Sequence, residues 1–241
     1  MAEAADRLVA ARCPVLICGG GVLIAGASAA LDALATLLNA PVCSSVSGQG
    51  SLAGSHPLNA GVVGTNGGVE ATRAVVAQAD LVMFIGARAG STTTEHWQMP
   101  SRKVTIVHLD VDAMTIGTNY RTDVALVGDA LLGLQALHAA VQQRIARRPV
   151  DAADGAALAA TARAAKQAFF APLAASLERP IKPERVVDTL NRLLPARAIV
   201  VADPGTPCPY FTAYFDAPQA GRHFITNRAH GALGFAMSAG F

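Results

Sequence analysis

The sequence is short of charge. Asp, Glu, Lys and Arg make up only 15% of its 241 residues, and 19 basic residues nearly balance 17 acidic ones for a formal net charge of +2. Such a chain carries no basic stripe for a nucleic acid backbone. Its one basic cluster, Arg144, Arg147 and Arg148, reads as a solvated helix end. No run of about 20 uninterrupted apolar residues occurs, so no membrane partner through a spanning helix is expected. Residues 1–12 include Glu3 and Asp6 and lack the apolar centre of a secretory leader. Cysteine is scarce too. Cys13, Cys18, Cys43 and Cys208 form no C-x-x-C pair, which argues against a disulfide framework or a cysteine zinc site and for a reducing, cytoplasmic setting. The histidines His56, His96, His108, His138, His223 and His230 show no i, i+4 pair and no H-E-x-x-H, and no G-x-S-x-G elbow occurs. Metal-histidine and serine-hydrolase chemistry thus have no support. What is abundant is apolar, at 52% hydrophobic residues, with 22 glycines. That composition is the opposite of a disordered chain, and at roughly 150 residues per domain it allows one large or two small domains.

Apolar runs alternate with helical spacing, the pattern of a parallel sheet with helices on both faces, a Rossmann-like α/β fold. Strands are expected at residues 14–18, 41–45, 80–86, 103–111 and 123–127. Helices are expected at 28–38, 68–78 and from Asp129 towards 145. After the second strand, residues 47–54 read as a glycine-rich loop, and Gly61, Gly64, Gly67 and Gly68 crowd the loops that follow. Residues 1–147 are expected to form this unit, and the Ala-rich stretch 148–179 a helical linker. Residues 180–241 then read as the incomplete start of a second α/β domain. Pro183 opens a helix there, residues 198–202 form a strand, and the chain stops at Phe241 inside a helix.

Several motifs carry two readings. Gly19-Gly20-Gly21, after a strand and before a helix, stands where a dinucleotide fold holds phosphate. The third glycine of G-x-G-x-x-G is replaced by Ile24, however, so a plain tight turn is the other reading. Arg88, closing the third strand beside Ser91, Thr92, Thr93 and Thr94, can take a phosphate or carboxylate or salt-bridge a neighbouring domain. Asp112 reads as a turn cap, leaving Asp110 to contact a ribose or amide. Trp97 and the aromatics Tyr210, Phe211, Tyr214 and Phe215 read as packing, the latter four at an interface.

Two stretches, residues 201–206 (VADPGT) and 227–235 (NRAHGALGF), resemble the start of the diphosphate-binding domain of thiamin diphosphate-dependent enzymes of the acetolactate synthase group. Upstream, the chain resembles that family's middle domain. The likeness runs in family order through the 19–21 turn, residues 56–58 (HPL), 61–64 (GVVG), 79–82 (ADLV), 85–88 (IGAR), 108–112 (HLDVD), 116–117 (IG) and 128–130 (GDA).

This resemblance implies a 2-oxo acid decarboxylating or carboligating activity, a lyase or transferase, with thiamin diphosphate and magnesium in the intact enzyme. A small-molecule 2-oxo acid would be the substrate, and the intact protein a homodimer or homotetramer. Gly231 matches the glycine whose carbonyl contacts the cofactor's amino group. Leu233 matches the apolar residue supporting its bent form; the other reading of Leu233 is an ordinary core leucine. Gly205 and Thr206 match diphosphate contacts. Gly20, Gly21, Ser45, Val46, Gly64, Gly86, Arg88, Asp110, Gly128 and Asp129 match positions that hold FAD or ADP in relatives. The residues after Arg88 (AGSTTT) depart from the family's acidic, aromatic pattern, and the family's catalytic glutamate and magnesium motif find no match. The chain alone is therefore expected to be inactive, with no catalytic or metal residue assigned. Two rival readings stand beside this one: an adenine-nucleotide or flavin module, and a purely structural domain mediating assembly.

Overall fold

The computed structural model describes residues 1–149, 151–228 and 230–240. Ala229, inside the second resembling stretch, and Phe241, inside the last expected helix, lie outside the described residues. Six parallel strands, β1 (Pro14–Cys18), β2 (Val42–Ser44), β3 (Asn59–Val62), β4 (Leu81–Ile85), β5 (Thr105–Asp110) and β6 (Val124–Val127), form one sheet in the order β3-β2-β1-β4-β5-β6. That order reverses between β1 and β4, so the topological switch point lies where the glycine turn after β1 faces the end of β4. The expected α/β class with a parallel, helix-covered sheet is what forms.

Alternation along the strands sorts the core into two layers. Leu16, Cys18, Met83 and Ile85 face helices α1 (Ala2–Ala10), α3 (Ser28–Leu38) and α5 (Ala130–Gln142), whose Leu8, Leu34 and Leu134 are fully buried. Val15, Ile17, Val82 and Phe84 face the other way, onto α4 (Glu70–Ala77) and α6 (Gly155–Ala174). Strands apolar on both faces are what a doubly covered parallel sheet requires. Short α2 (Gly20–Ile24) follows the glycine turn.

The structure adds elements that sequence periodicity does not show, among them α2, α8 (Pro207–Tyr214) and β8 (Phe224–Thr226) and, at the larger sheet, β3 and α1. Strand β3 lies among the presumed glycine-crowded loops, because Asn59 and Gly61 mask its alternation while Ala60 and Val62 are buried. Helix α1 lies where only the absence of a leader was read, and its Ala4, Ala5 and Leu8 are fully buried. The Ala-rich stretch holds α6, capped by Asp154, whose carboxylate accepts from the amides of Ala156 and Ala157. Its Ala159 and Ala162 pack in the second core layer. Trp97 is not packed as expected. It is 42% exposed, at the end of three consecutive residues with left-handed φ, Glu95, His96 and Trp97.

After α6 come α7 (Pro183–Leu193), β7 (Val200–Ala202), α8 (Pro207–Tyr214), β8 (Phe224–Thr226) and α9 (Phe235–Ala239), with β7 and β8 paired in parallel. Phe211, Phe215 and Phe224 gather at ring-centroid distances of 6.1–6.5 Å. They join a third core that also takes in Val46 and Val62 from the larger sheet's side. Of the aromatics after Pro209, Phe215 is buried in this core, and Tyr210, Phe211 and Tyr214 are half-buried against it.

Candidate functional site

The two resembling stretches leave the same end of the small sheet. Parallel pairing puts Ala202 beside Thr226, so the turn through Asp203, Pro204 and Gly205 and the segment from Asn227 onward emerge side by side. Ligands of open α/β sheets bind outside the carboxyl ends of their strands. Asp203 ties the two together: its carboxylate accepts the Gly234 and Ala236 amides, each at 2.8 Å, and so caps α9. These two N–H donors, first that of Ala236, hold its pKa below the ordinary carboxylate value.

Gly205 and Thr206 stand on the first of these segments, and Gly231 and Leu233 on the second. A Cβ on Gly205 would sit 3.2 Å from the Leu233 Cδ2, so that leucine lies over the turn. Leu233 is 75% exposed, which removes the reading of it as a core leucine. Gly231 takes a φ of 66°, and a Cβ there would meet nothing within 4 Å. An apolar side chain above an open glycine ledge fits the bent, partly aromatic cofactor that the resemblance implies. Helix α8 begins directly after Thr206, but Pro207 and Pro209 delete two of its first amide donors. Among the described residues no three His, Cys, Asp or Glu side chains converge as metal ligands, and Asp203 is already engaged.

The second set of candidates stands at the switch point, and most of its polar groups are occupied. The Gly21 amide donates to the Gly86 carbonyl at 3.1 Å, that of Gly86 to Leu109 and that of Gly128 to Asp110. Gly21 and Gly86 approach so closely that a Cβ on Gly86 would lie 2.6 Å from the Gly21 Cα. A Cβ on Gly20 would meet Ser47 at 3.3 Å, and one on Gly64 would collide with the backbone of Thr92 and Thr93. Ser45 accepts from the Gly48 amide, and Asp129 caps α5 through the Leu131 and Leu132 amides. Asp110 accepts the Asp112 amide at 3.0 Å, and Asp112 caps its own turn through Met114, as expected of it. Val46 is elsewhere, in the third core. A pyrophosphate at this edge therefore finds no free amide cradle at Gly21, Gly86 or Gly128. It finds Arg88, exposed and without an ion pair among the described residues. Gly21, Gly64 and Gly86 pack closely against backbone, a demand that sequence alone does not separate from ligand approach, whereas Gly128 faces open space.

All four thiols are buried, and burial raises each pKa, that of Cys43 to about 12. None is an activated nucleophile. Sequence reasoning missed Asp203 as the residue that joins the two stretches. A carboxylate after a strand, with a Gly-rich helix start about 30 residues on, is the only signal.

Comparison with known proteins identifies the family. Residues 1–137 match the family model described as "Thiamine pyrophosphate enzyme, central domain". The probable 2-ketoarginine decarboxylase AruI of Pseudomonas aeruginosa is 36% identical over 238 residues, covering 98% of this chain and 39% of the relative. The acetolactate synthase isozyme 3 large subunit of Escherichia coli K12 is 30% identical over 239 residues, covering 98% and 40%. A probable acetolactate synthase large subunit of Methanococcus aeolicus is 29% identical over 241 residues, covering 97% and 40%. The chain thus spans about 40% of the length of these curated relatives. With a family-model match over residues 1–137, relatives aligned over nearly the whole chain and a sheet in 3-2-1-4-5-6 order, the chain belongs to the thiamine pyrophosphate enzyme family, in its acetolactate synthase-like branch.

Proposed function

We propose that this chain contributes the middle unit and one side of the cofactor crevice to a thiamin diphosphate-dependent enzyme acting on a 2-oxo acid, by decarboxylation or carboligation. The observation that carries the reading is Leu233, exposed above Gly205 and held there because Asp203 fixes the start of α9. When bound, the cofactor supplies carbanion stabilisation next to the substrate carbonyl. Gly231 leaves its carbonyl approachable, since no Cβ screens it. Leu233 offers an apolar wedge that holds the cofactor's rings in a fixed relation, a positioning effect. Gly205 and Thr206 stand ahead of α8, where the helix N-terminus favours an anion, though the two prolines leave fewer amides to meet it. The assignment to lyase or transferase, the magnesium requirement and a homodimeric or homotetrameric state belong to the same proposal.

The test is titration of the chain with thiamin diphosphate and magnesium, followed by amide NMR. Shift changes should concentrate at Gly205, Thr206, Gly231 and Leu233. Changes confined to the six-stranded sheet, or none at millimolar cofactor, would overturn the reading.

A second reading, an adenine nucleotide or flavin across the larger sheet's strand ends, is favoured by one observation, the free Arg88 guanidinium at the switch point. If FAD, ADP and ATP all leave the melting temperature unchanged at millimolar concentration, this edge serves packing alone.

A further inference from the structure

A cavity of about 240 Å³ lies apart from both sites, where the ends of β2 and β3 meet α6 and α8. Its volume exceeds the roughly 150 Å³ that admits a benzene-sized molecule and falls below the roughly 300–1,000 Å³ of pockets for drug-sized ligands. A dinucleotide does not fit it; a small metabolite does.

The lining poses a specific chemical demand. Gln49 is 9% exposed, and its Nε2 donates to the carbonyls of Phe211 and Phe215 at 3.2 and 3.1 Å. Two carbonyl acceptors fix the amide's orientation, because a flipped amide would face oxygen with oxygen. The Oε1 is thereby turned away from them, buried and with no donor among the described residues. A buried acceptor without a donor is costly, and native structures rarely leave one without a reason. Lys166 supplies the opposite need. Its Nζ would sit 4.0 Å from a Cβ on Gly61, and it makes no ion pair among the described residues. Arg163 is not free for a ligand in the same way, since its Nη1 donates to the carbonyls of His56, Pro57 and Asn59 at 2.8–3.2 Å. The Asp216 carboxylate rests over Gly54 on the rim, where any Cβ would collide with it. Among the described residues, therefore, no carboxylate closes to ion-pair distance on Lys166, Asp216 acting on it only from farther off, and no donor meets the Gln49 Oε1.

We infer that this cavity binds a small carboxylate with an amino or hydroxyl group on the adjacent carbon, its carboxylate on Lys166 and its donor directed to Gln49 and Asp216. Burial lowers the Lys166 pKa, Asp216 opposes that shift and Arg163 adds to it. An incoming carboxylate relieves the desolvation of that ammonium. The inference is independent of the cofactor reading, because none of the residues proposed for the cofactor crevice lines this cavity.

The experiment is calorimetric titration of the chain with L-alanine, L-lactate and propionate. Alanine or lactate should bind, with propionate at least about tenfold weaker, since it lacks the donor that Gln49 requires. Binding by alanine alone assigns an amino acid, and binding by lactate alone a hydroxy acid; either supports the site. Lys166→Met should weaken binding about tenfold or more while melting no lower than the parent, because it keeps the stem and removes a desolvated charge. Lys166→Arg should recover part of the affinity. No heat with either ligand means that the cavity holds water only, and the inference falls. Propionate binding as tightly as lactate, or full binding by Lys166→Met, overturns it equally.

Discussion

Leu233 and Asp203 show how one side chain's surroundings separate cofactor roles from structural ones. A buried leucine cut to alanine costs about 2–5 kcal/mol, but Leu233 is three-quarters exposed. Leu233→Ala should therefore leave the urea midpoint unchanged, within about 0.5 kcal/mol, while weakening the NMR response to thiamin diphosphate. A midpoint drop of several kcal/mol would return this residue to the core. Asp203 gives a pH signature. Its folded pKa lies below the ordinary value because the Ala236 and Gly234 amides stabilise the charged form. A depressed carboxylate contributes its stabilisation above the unfolded pKa, about 3.9, and loses it as pH falls through the lower folded value. The cap on α9 should be intact at neutral pH and release only in acid below about pH 4. Amide exchange at Gly234 and Ala236 reports it, and Asp203→Asn should flatten the profile. Exchange at these amides that accelerates between pH 7 and 5 would contradict the assignment.

Among the elements, the strand-end glycines divide by what lies against them. Gly86 has φ of 53° and abuts Gly21, whereas a Cβ on Gly128 meets nothing within 4 Å. Gly86→Ala should cost about 1–3 kcal/mol from left-handed strain alone, with a further cost from the clash. Gly128→Ala should fall within about 0.5 kcal/mol. Denaturant midpoints for the pair measure this, and equal midpoints would show that the close approach bears no stability. The same contrast explains what was legible in the sequence. Strands β1, β4 and β5 are apolar on both faces and stand out as runs, and Asp129 announces α5 as a cap. Strand β3 was hidden because an edge strand containing Asn59 and Gly61 has weak periodicity, so only its parallel pairing with β2 defines it. The family was legible as an ordered set of motifs, and the candidate site only through it. Which glycines face open space and which face backbone depends on contacts made across the switch point, long-range information that no local pattern holds.

For the molecule as a whole, the two sheets should differ in stability. Strands β1 and β4 are paired on both edges, covered on both faces and buried at every position. The smaller sheet has two strands of three residues each, with half-buried positions in both. A two-stranded sheet is marginal by itself and needs packing partners. Here those partners are α7, α8 and the third core, which borrows Val46 and Val62 from the larger unit. Local opening energies range from near zero up to the global value, and poorly covered elements open first. Hydrogen exchange followed by mass spectrometry should thus find β1 and β4 slowest, with β7 and β8 fastest among the strands. Because Val62 is in both the larger sheet and the third core, Val62→Ala should speed exchange in β7 and β8 more than in β4. Uniform acceleration across all strands would mean that the two sheets open as one cooperative unit. The cofactor crevice would then be no more mobile than the sheet beneath it, whereas early opening of β7 and β8 would make ordering of that crevice part of the cost of binding.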